Sequence, residues 1–397
     1  MTRSNLAWAS AATCLACAAP LAHAADTVKI YGGMDGNVTR VSAEGRGSVW
    51  QVRDGGMYVS KLGFTGMEDL GDGFKAEFVL ESQANSDTGT GVATNTNNYF
   101  SGTPSGTSGL NWNRKATVGL HTPFGELRFG RDYTSTFVPA TYFDPFFSAG
   151  IASAVNYQPY YKYVFSPLAP TTVNFLLAPG TLVRASNMVA YYIPSTWVPG
   201  FYAYVQGALG EGVGPRYTGF GTGFYRGPYF VAAAYGVTRN PLGDATGYLT
   251  PDTASGSNKL KVWSLGGSYK FFGSFSLMGF YHSQSFDAYG ESLTGLPVFT
   301  ERDRKVDDAL VGFSWAIGPH TIKSSLMLRD DKGVANADSR QFGLGYSYHL
   351  SKRTAVYANA VSIRNDNSAN YNFISAGVNP VNGGSARAFQ AGLSHNF

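Results

Sequence analysis

Cysteine is nearly absent: the 397-residue chain holds two, Cys14 and Cys17. Both fall in an N-terminal stretch that reads as a secretory leader. Arg3 supplies its positive region, Ala7 to Ala19 is apolar and small-rich, and Ala22-His23-Ala24 offers an A-x-A cleavage site. A lipoprotein signal at Cys17 is disfavoured, because Cys14 stands where an aliphatic residue belongs and a good A-x-A site follows. Cleavage near 24/25 leaves a mature chain, 25–397, without cysteine, which excludes disulfides, thiol nucleophiles and Cys-ligated metals. Charge is scarce as well, at 14 % against roughly 25 % in soluble domains. A net charge of +4 and basic runs no longer than two residues, as at Lys352-Arg353, exclude a nucleic-acid partner. After residue 25 no apolar run approaches the length of a transmembrane helix. The six histidines are scattered, one of them (His23) in the leader, with no His-x-x-His or His-Glu spacing. A zinc or hydrolase site therefore has no sequence support, and no Ser-His-Asp arrangement singles itself out. The Gly-Phe-Gly and Gly-Thr-Gly stretches lack the βαβ surroundings of a dinucleotide fingerprint. No catalytic group, metal or cofactor is expected, and the chain does not read as an enzyme.

What the chain has in quantity is glycine (49), phenylalanine (27) and tyrosine (25). That composition suits many short strands joined by tight turns, with a wall that needs few charges on one of its sides. The alternation is explicit from the mature start. Val28 and Ile30 fall on one side, with Lys29, Tyr31, Asp35 and Asn37 on the other. Tyr58, Leu62 and Phe64 oppose Lys61 and Gly63, while Phe74, Ala76, Phe78 and Leu80 oppose Lys75, Glu77 and Glu81. Period two with a charged opposite face is the strand signature. Sixteen such segments can be placed, two of them near 184–193 and 216–227. Short connectors (Phe272-Gly273, Gly318-Pro319-His320, Ser351-Lys352-Arg353) alternate with long polar ones at 85–111, 240–258, 286–304 and 330–339.

These features predict an all-β, sixteen-stranded antiparallel transmembrane barrel, a single domain with short periplasmic turns and long extracellular loops. An exported chain without a spanning helix can cross a membrane only as a closed barrel, because an open sheet edge cannot sit in hydrocarbon. A secreted β-sandwich also alternates, but it would carry charge on its outward face. Here the polar face is rich in Gly, Ser and Thr. The apolar face carries Trp263, Tyr269, Trp315, Tyr346 and Tyr348 toward strand ends, as an interfacial belt would. The last strand ends the chain on an aromatic, with Phe389, Ala391, Leu393, His395 and Phe397 outward and Gln390, Ser394 and Asn396 inward. Leu393, His395 and Phe397 resemble the C-terminal signal read by the outer-membrane barrel assembly machinery.

Four stretches resemble the general porins of Gram-negative beta-proteobacteria, related to neisserial porins. They are Val28-Lys29-Ile30-Tyr31-Gly32-Gly33-Met34-Asp35, the run Lys61 to Gly73, the run Phe124 to Thr134, and the last nine residues. The resemblance implies a trimeric barrel through which small hydrophilic solutes and ions diffuse, set among membrane lipid and lipopolysaccharide. It also implies a third loop folded into the pore. Residues 132–183 depart from the family in length and in their many prolines, which predicts an enlarged or rearranged constriction loop with an extra hairpin around 171–178. Alternation points Lys61, Lys75 and Arg128 inward, with Arg131 where the fifth strand meets the loop; these match the family's basic pore wall. Asp144, in Asp144-Pro145-Phe146, and Asp132 are the loop's acids, while Glu77 and Glu81 are further lumenal acids. More bases than acids implies mild anion selectivity. Two other functions fit the same pattern: a substrate-selective channel with the enlarged loop, or a structural or adhesin barrel with a plugged lumen.

Overall fold

The computed structural model describes residues 27–92, 109–157, 161–162, 176–177, 180–211, 215–239, 259–287, 303–333, 336–366, 369–374 and 376–397. The expected leader and the loop 240–258 lie outside them, as do most of 85–111 and 286–304.

Every strand pairs antiparallel with its sequence neighbour. The first half of the wall is β1 (Thr27–Ala43), β2 in two segments (Gly47–Asp54 and Lys61–Gly71), β3 (Phe74–Gln83), β4 (Lys115–Thr122), β5 (Gly125–Tyr133), β6 (Arg184–Tyr192), β7 (Phe201–Ala208) and β8 (Arg216–Arg226). The second half is β9 (Tyr229–Arg239), β10 (Lys259–Phe271), β11 (Phe275–Asp287), β12 (Asp303–Ile317), β13 (His320–Asp331), β14 (Ser339–His349), β15 (Thr354–Asn365) and β16 (Ala386–Asn396). The sheet closes on itself through β1 and β16, in register from Gly33↔Asn396 to Ala43↔Ala386. Gly32 and Phe397 extend the seam by exchanging backbone hydrogen bonds of 3.2 and 3.0 Å. Closure leaves no unpaired edge, the condition for a sheet to lie in hydrocarbon. Among the described residues no helix is long and apolar enough to cross a membrane.

The split in β2 is a local departure from the expected strand. Gly47–Asp54 pairs with the upper part of β1 and Lys61–Gly71 with the lower part, so the two segments form one spanning strand interrupted at 55–60. The interruption strands several backbone donors, and Asp35 of β1 takes them up. Its carboxylate accepts the N–H groups of Gly56, Met57 and Tyr58 at 2.9, 2.8 and 2.9 Å. Tyr58, expected within the strand, lies in this interruption.

Inward and outward faces alternate as the pattern requires. On β14, Ser339, Gln341, Gly343, Gly345 and Ser347 are buried inside, while Phe342, Leu344 and Tyr346 are exposed on the outer wall. On β16, Phe389, Leu393 and His395 point outward, Gln390 and Ser394 inward, and Phe397 is exposed at the end. Aromatic rings girdle the short-turn end: Tyr229 packs on Tyr269 (4.8 Å between centroids), Tyr269 on Phe271 (4.4 Å), and His320 Nδ1 meets the Tyr346 hydroxyl at 2.7 Å. Such rings suit a membrane–water boundary, apolar on one side and hydrogen-bonding on the other.

Inside the barrel lies the chain from Thr134 to Tyr157, which includes the one-and-a-half-turn helix α1 (Phe137–Tyr142). Beyond it, only a two-residue ladder between Tyr161–Lys162 and Leu176–Leu177 is described of the hairpin expected around 171–178.

Candidate functional site

The loop's position follows from side chains that the opposite wall omits. A Cβ on Gly312 would stand 2.6 Å from Pro145 Cγ, one on Gly345 2.7 Å from Phe146 Cε1, and one on Gly343 2.9 Å from Ala152 Cβ. Gly266 makes the same room for the Phe143 ring. Glycine on β10, β12 and β14 thus leaves the space in which the loop lies. Polar side chains then fix it there. Asn156 Nδ2 donates to Gln341 Oε1 (2.8 Å), Gln341 Nε2 donates to the carbonyls of Ala152 and Ser153 (both 3.1 Å), and the Tyr157 and Ser339 hydroxyls meet at 2.6 Å. Arg329 grips both oxygens of Asp308 (2.7 and 2.6 Å) and also donates to the Tyr157 carbonyl; this ion pair is 1 % and 0 % exposed.

Asp144 belongs to this framework and not to the pore face. The expectation that it supplies an acid opposite the basic wall is corrected: the residue is fully buried. Its carboxylate accepts the N–H groups of Phe146 (2.9 Å), Ser148 (3.1 Å) and Ala154 (2.8 Å), which holds the loop in shape. Burial pushes its pKa up to about 6 despite these donors.

Register also aligns Ser264, His282 and Asp308 on β10, β11 and β12. Ser264 donates to the Thr136 carbonyl (2.9 Å) and lies 2.6 Å from His282 Nδ1. Asp308 is already held by Arg329 rather than by the imidazole. Of the three, Ser264 ties the start of α1 to the wall.

With the loop against β10 to β16, the open lumen is displaced toward the other wall. A cavity of about 1210 Å³ remains, bordered by β2 to β7 on one side and by Phe137, Thr141, Tyr142 and residues 147–151 on the other. Its wall carries seven cations, Arg53, Lys61, Arg114, Lys115, Arg128, Arg184 and Lys323, against three acids, Asp54, Asp87 and Asp132. Lys61 and Arg114 share Glu81 (2.8 and 2.5 Å), which sits behind them. Arg128 reaches Glu126 (2.6 Å) and Asp132 (2.7 Å) and stacks on Tyr192 with 4.5 Å to the ring centroid; Lys115 reaches Asp132 at 3.3 Å. Arg184 stacks on Tyr133 at 4.5 Å and donates to its hydroxyl, while its Nε has no partner among the described residues. Lys323 stands across the cavity near the rings of Phe146 and Phe147, with no ion pair among the described residues.

Of the residues singled out in the sequence, Lys61, Arg128 and Asp132 border the cavity, and Glu81 lies just behind it. Lys75 does not. It is the second residue of β3, opposite His121, and stands with Glu77 at the short-turn end, six positions below Glu81. Arg131 does not either. It shares the outward parity of Leu127 and Phe129, and a register shift between Gly130 and Asp132 seats it in the wall, donating to the Asn113 carbonyl (2.7 Å) and the Ser186 hydroxyl (2.8 Å). Sequence reasoning passed over Arg53, Arg114, Lys115, Arg184 and Lys323. The parity of Lys115 with Thr117 and Gly119, opposite Val118 and Leu120, was a usable signal for one of them.

Comparison with known proteins agrees with this architecture. The sequence profile of the Gram-negative porins matches residues 9–368. The chain belongs to the Gram-negative porin family. This porin is 29 % identical to outer membrane porin protein 32 of Delftia acidovorans over 388 residues, 95 % of each chain. It is 28 % identical to an outer membrane porin protein of Bordetella pertussis over 340 residues, 75 % of each. Among solved structures, the anion-selective porin from Comamonas acidovorans superimposes with a TM-score of 0.73 at 27 % identity, covering 94 % of this chain and all of that one. Fold and family place the porin in the outer membrane of a Gram-negative bacterium, where the barrel is a channel through the lipid.

Proposed function

We propose that this porin passes small hydrophilic solutes by passive diffusion with a mild preference for anions, and that residues 134–157 form the constriction. The observation that carries the reading is the excess of cations on the cavity wall, seven against three, with no ion pair among the described residues for Arg184 or Lys323. A solute entering the cavity meets fixed positive charge in a narrowed aqueous space, where field lines are focused and anions are concentrated. The likeness to the Comamonas acidovorans anion-selective porin supports the same sign.

The finer placement among beta-proteobacterial porins of neisserial type is supported by the Delftia and Bordetella relatives. With it goes assembly as a homotrimer, surrounded by membrane lipid and lipopolysaccharide. The terminal Phe397, with Leu393 and His395 on the outer face of the closing strand, is read as the signal for the barrel assembly machinery. No catalytic role is assigned, and the lumen acts by its shape and charge.

Single-channel recording of the refolded mature protein in a planar bilayer, with the reversal potential under a salt gradient, tests the reading. Open steps in threes with an anion-directed reversal are expected. A cation-directed reversal would overturn the proposed selectivity, and absence of open steps would favour a plugged barrel.

A further inference from the structure

At the short-turn end of the lumen, three adjacent strands bring together residues that are far apart in sequence. Glu77 of β3, His121 of β4 and Glu126 of β5 face the interior, with His121 directly opposite Glu126 in the register. His121 Nε2 lies 3.0 Å from Glu77 Oε2, and His121 Nδ1 lies 3.8 Å from Glu126 Oε2. One ligand atom from each residue falls within 4.8 Å of the others, and no other such group of three occurs among the described residues. The three side chains are 31, 23 and 14 % exposed for His121, Glu77 and Glu126, so water and ions reach them from the mouth. The backbone is cut to fit: Gly119, opposite Glu77 on one side and Arg128 on the other, has no side chain to fill the space, and a Cβ there would stand 3.3 Å from Glu126 Oε1.

We propose that Glu77, His121 and Glu126 bind a first-row divalent cation, with Zn²⁺ the best match to the donor set. One imidazole nitrogen and two carboxylates, with a water in the open position, is a zinc-type constellation; Ca²⁺ and Mg²⁺ prefer oxygen donors alone. Ligand atoms roughly 2.0–2.2 Å from zinc lie about 3.4 Å from one another. Glu77 and His121 Nε2 are already near that spacing, and Glu126, which now lies 3.8 Å from the other ring nitrogen, closes the third side by swinging its carboxylate toward Nε2. Arg128 holds only Glu126 Oε1, so the second oxygen is free to turn. The metal would place two positive charges beside Arg128, at the foot of the basic wall. Resting on the proposed channel function, anion preference should then rise when Zn²⁺ is present on the short-turn side.

Calorimetric titration of the refolded, detergent-solubilised full barrel with Zn²⁺ alone tests the site whether or not the barrel conducts. One saturable Zn²⁺ per chain is expected, weakened about 10-fold in Glu77→Gln and about 100-fold in His121→Ala. Heat-modifiable migration on SDS gels establishes that each variant is folded. Absence of saturable heat in the wild type, or unchanged affinity in folded His121→Ala, would overturn the proposal. Reversal potentials recorded with Zn²⁺ on either side then report the consequence separately. A shift toward anions in the wild type that is lost in His121→Ala supports the coupling.

Discussion

Lys323 offers the sharpest test of the proposed anion preference. It lines the cavity from β13, opposite the wall that holds the other cations, and makes no ion pair among the described residues, its electrostatic partner being the buried Asp144 of the loop. Replacing it with Gln removes one unit of positive charge with little change of volume. A permeant ion passing about 6 Å from that charge in water gains or loses about 0.7 kcal/mol, a factor of about 3. Because the anion is favoured and the cation disfavoured, the anion-to-cation permeability ratio should fall by about 10-fold in dilute salt. The screening length is about 10 Å at 0.1 M and about 3 Å at 1 M, so in 1 M salt the same substitution should change the ratio by less than about 2-fold. Reversal potentials of Lys323→Gln and wild type, each in a dilute and a concentrated gradient, supply all four values. An unchanged ratio in dilute salt would refute the claim that lumenal charge sets selectivity. An effect equally large at both salt concentrations would show that the substitution acts by reshaping the pore.

Arg329→Met should lower the stability of the folded barrel by about 3–5 kcal/mol, because it leaves Asp308 charged and buried without a partner; urea unfolding in detergent reads this as a lower midpoint, and an unchanged midpoint would argue against a buried ion pair. Gly345→Val should push Phe146 off its wall and toward the open side, narrowing the lumen, so single-channel conductance should fall; equal conductance would mean that the loop does not limit flow. For Asp144, a folded pKa of about 6 against an ordinary 3.8 means that the seated loop binds the proton more tightly than a released one. Its seating should therefore strengthen as pH falls from about 6 to about 4 and weaken as pH rises through that window. Protease release of the loop across about pH 4–7 measures this. Asp144→Asn should abolish the slope, although its amide nitrogen cannot accept the backbone donors, and a slope that persists in this variant would assign the effect to another group.

The barrel was legible because its periodicity is local. Each strand states its own two faces, as in Phe74, Ala76, Phe78 and Leu80 against Glu77 and Glu81, and the closing strand announces itself through Phe389, Leu393 and Phe397. The split in β2 was not legible, since what permits it is the carboxylate of Asp35 on another strand. The lumenal site was readable only where parity decides it. Lys61 and Arg128 could be placed by counting along a strand, whereas the level of Lys75 depends on register and the direction of Arg131 on a bulge. Asp144 misleads because a loop acid looks alike in sequence whether it faces solute or caps its own backbone. Glu77, His121 and Glu126 form no motif, because their proximity exists only across three strands.

The anchoring of the loop has a consequence for the order in which this protein can become itself. Residues 134–157 leave the chain early, yet the groups that hold them, Asp308, Arg329, Ser339 and Gln341, belong to strands near its end. Half a barrel therefore carries this inward-folded segment held only near its start, where the Ser135 and Tyr217 hydroxyls meet. Seating must wait until β12 to β14 have joined the wall, and the finished seam between β1 and β16 encloses it. Contacts so distant along the chain make this a late, slow event. The passage is thus fashioned last, and a barrel arrested before closure has a wall but no defined aperture.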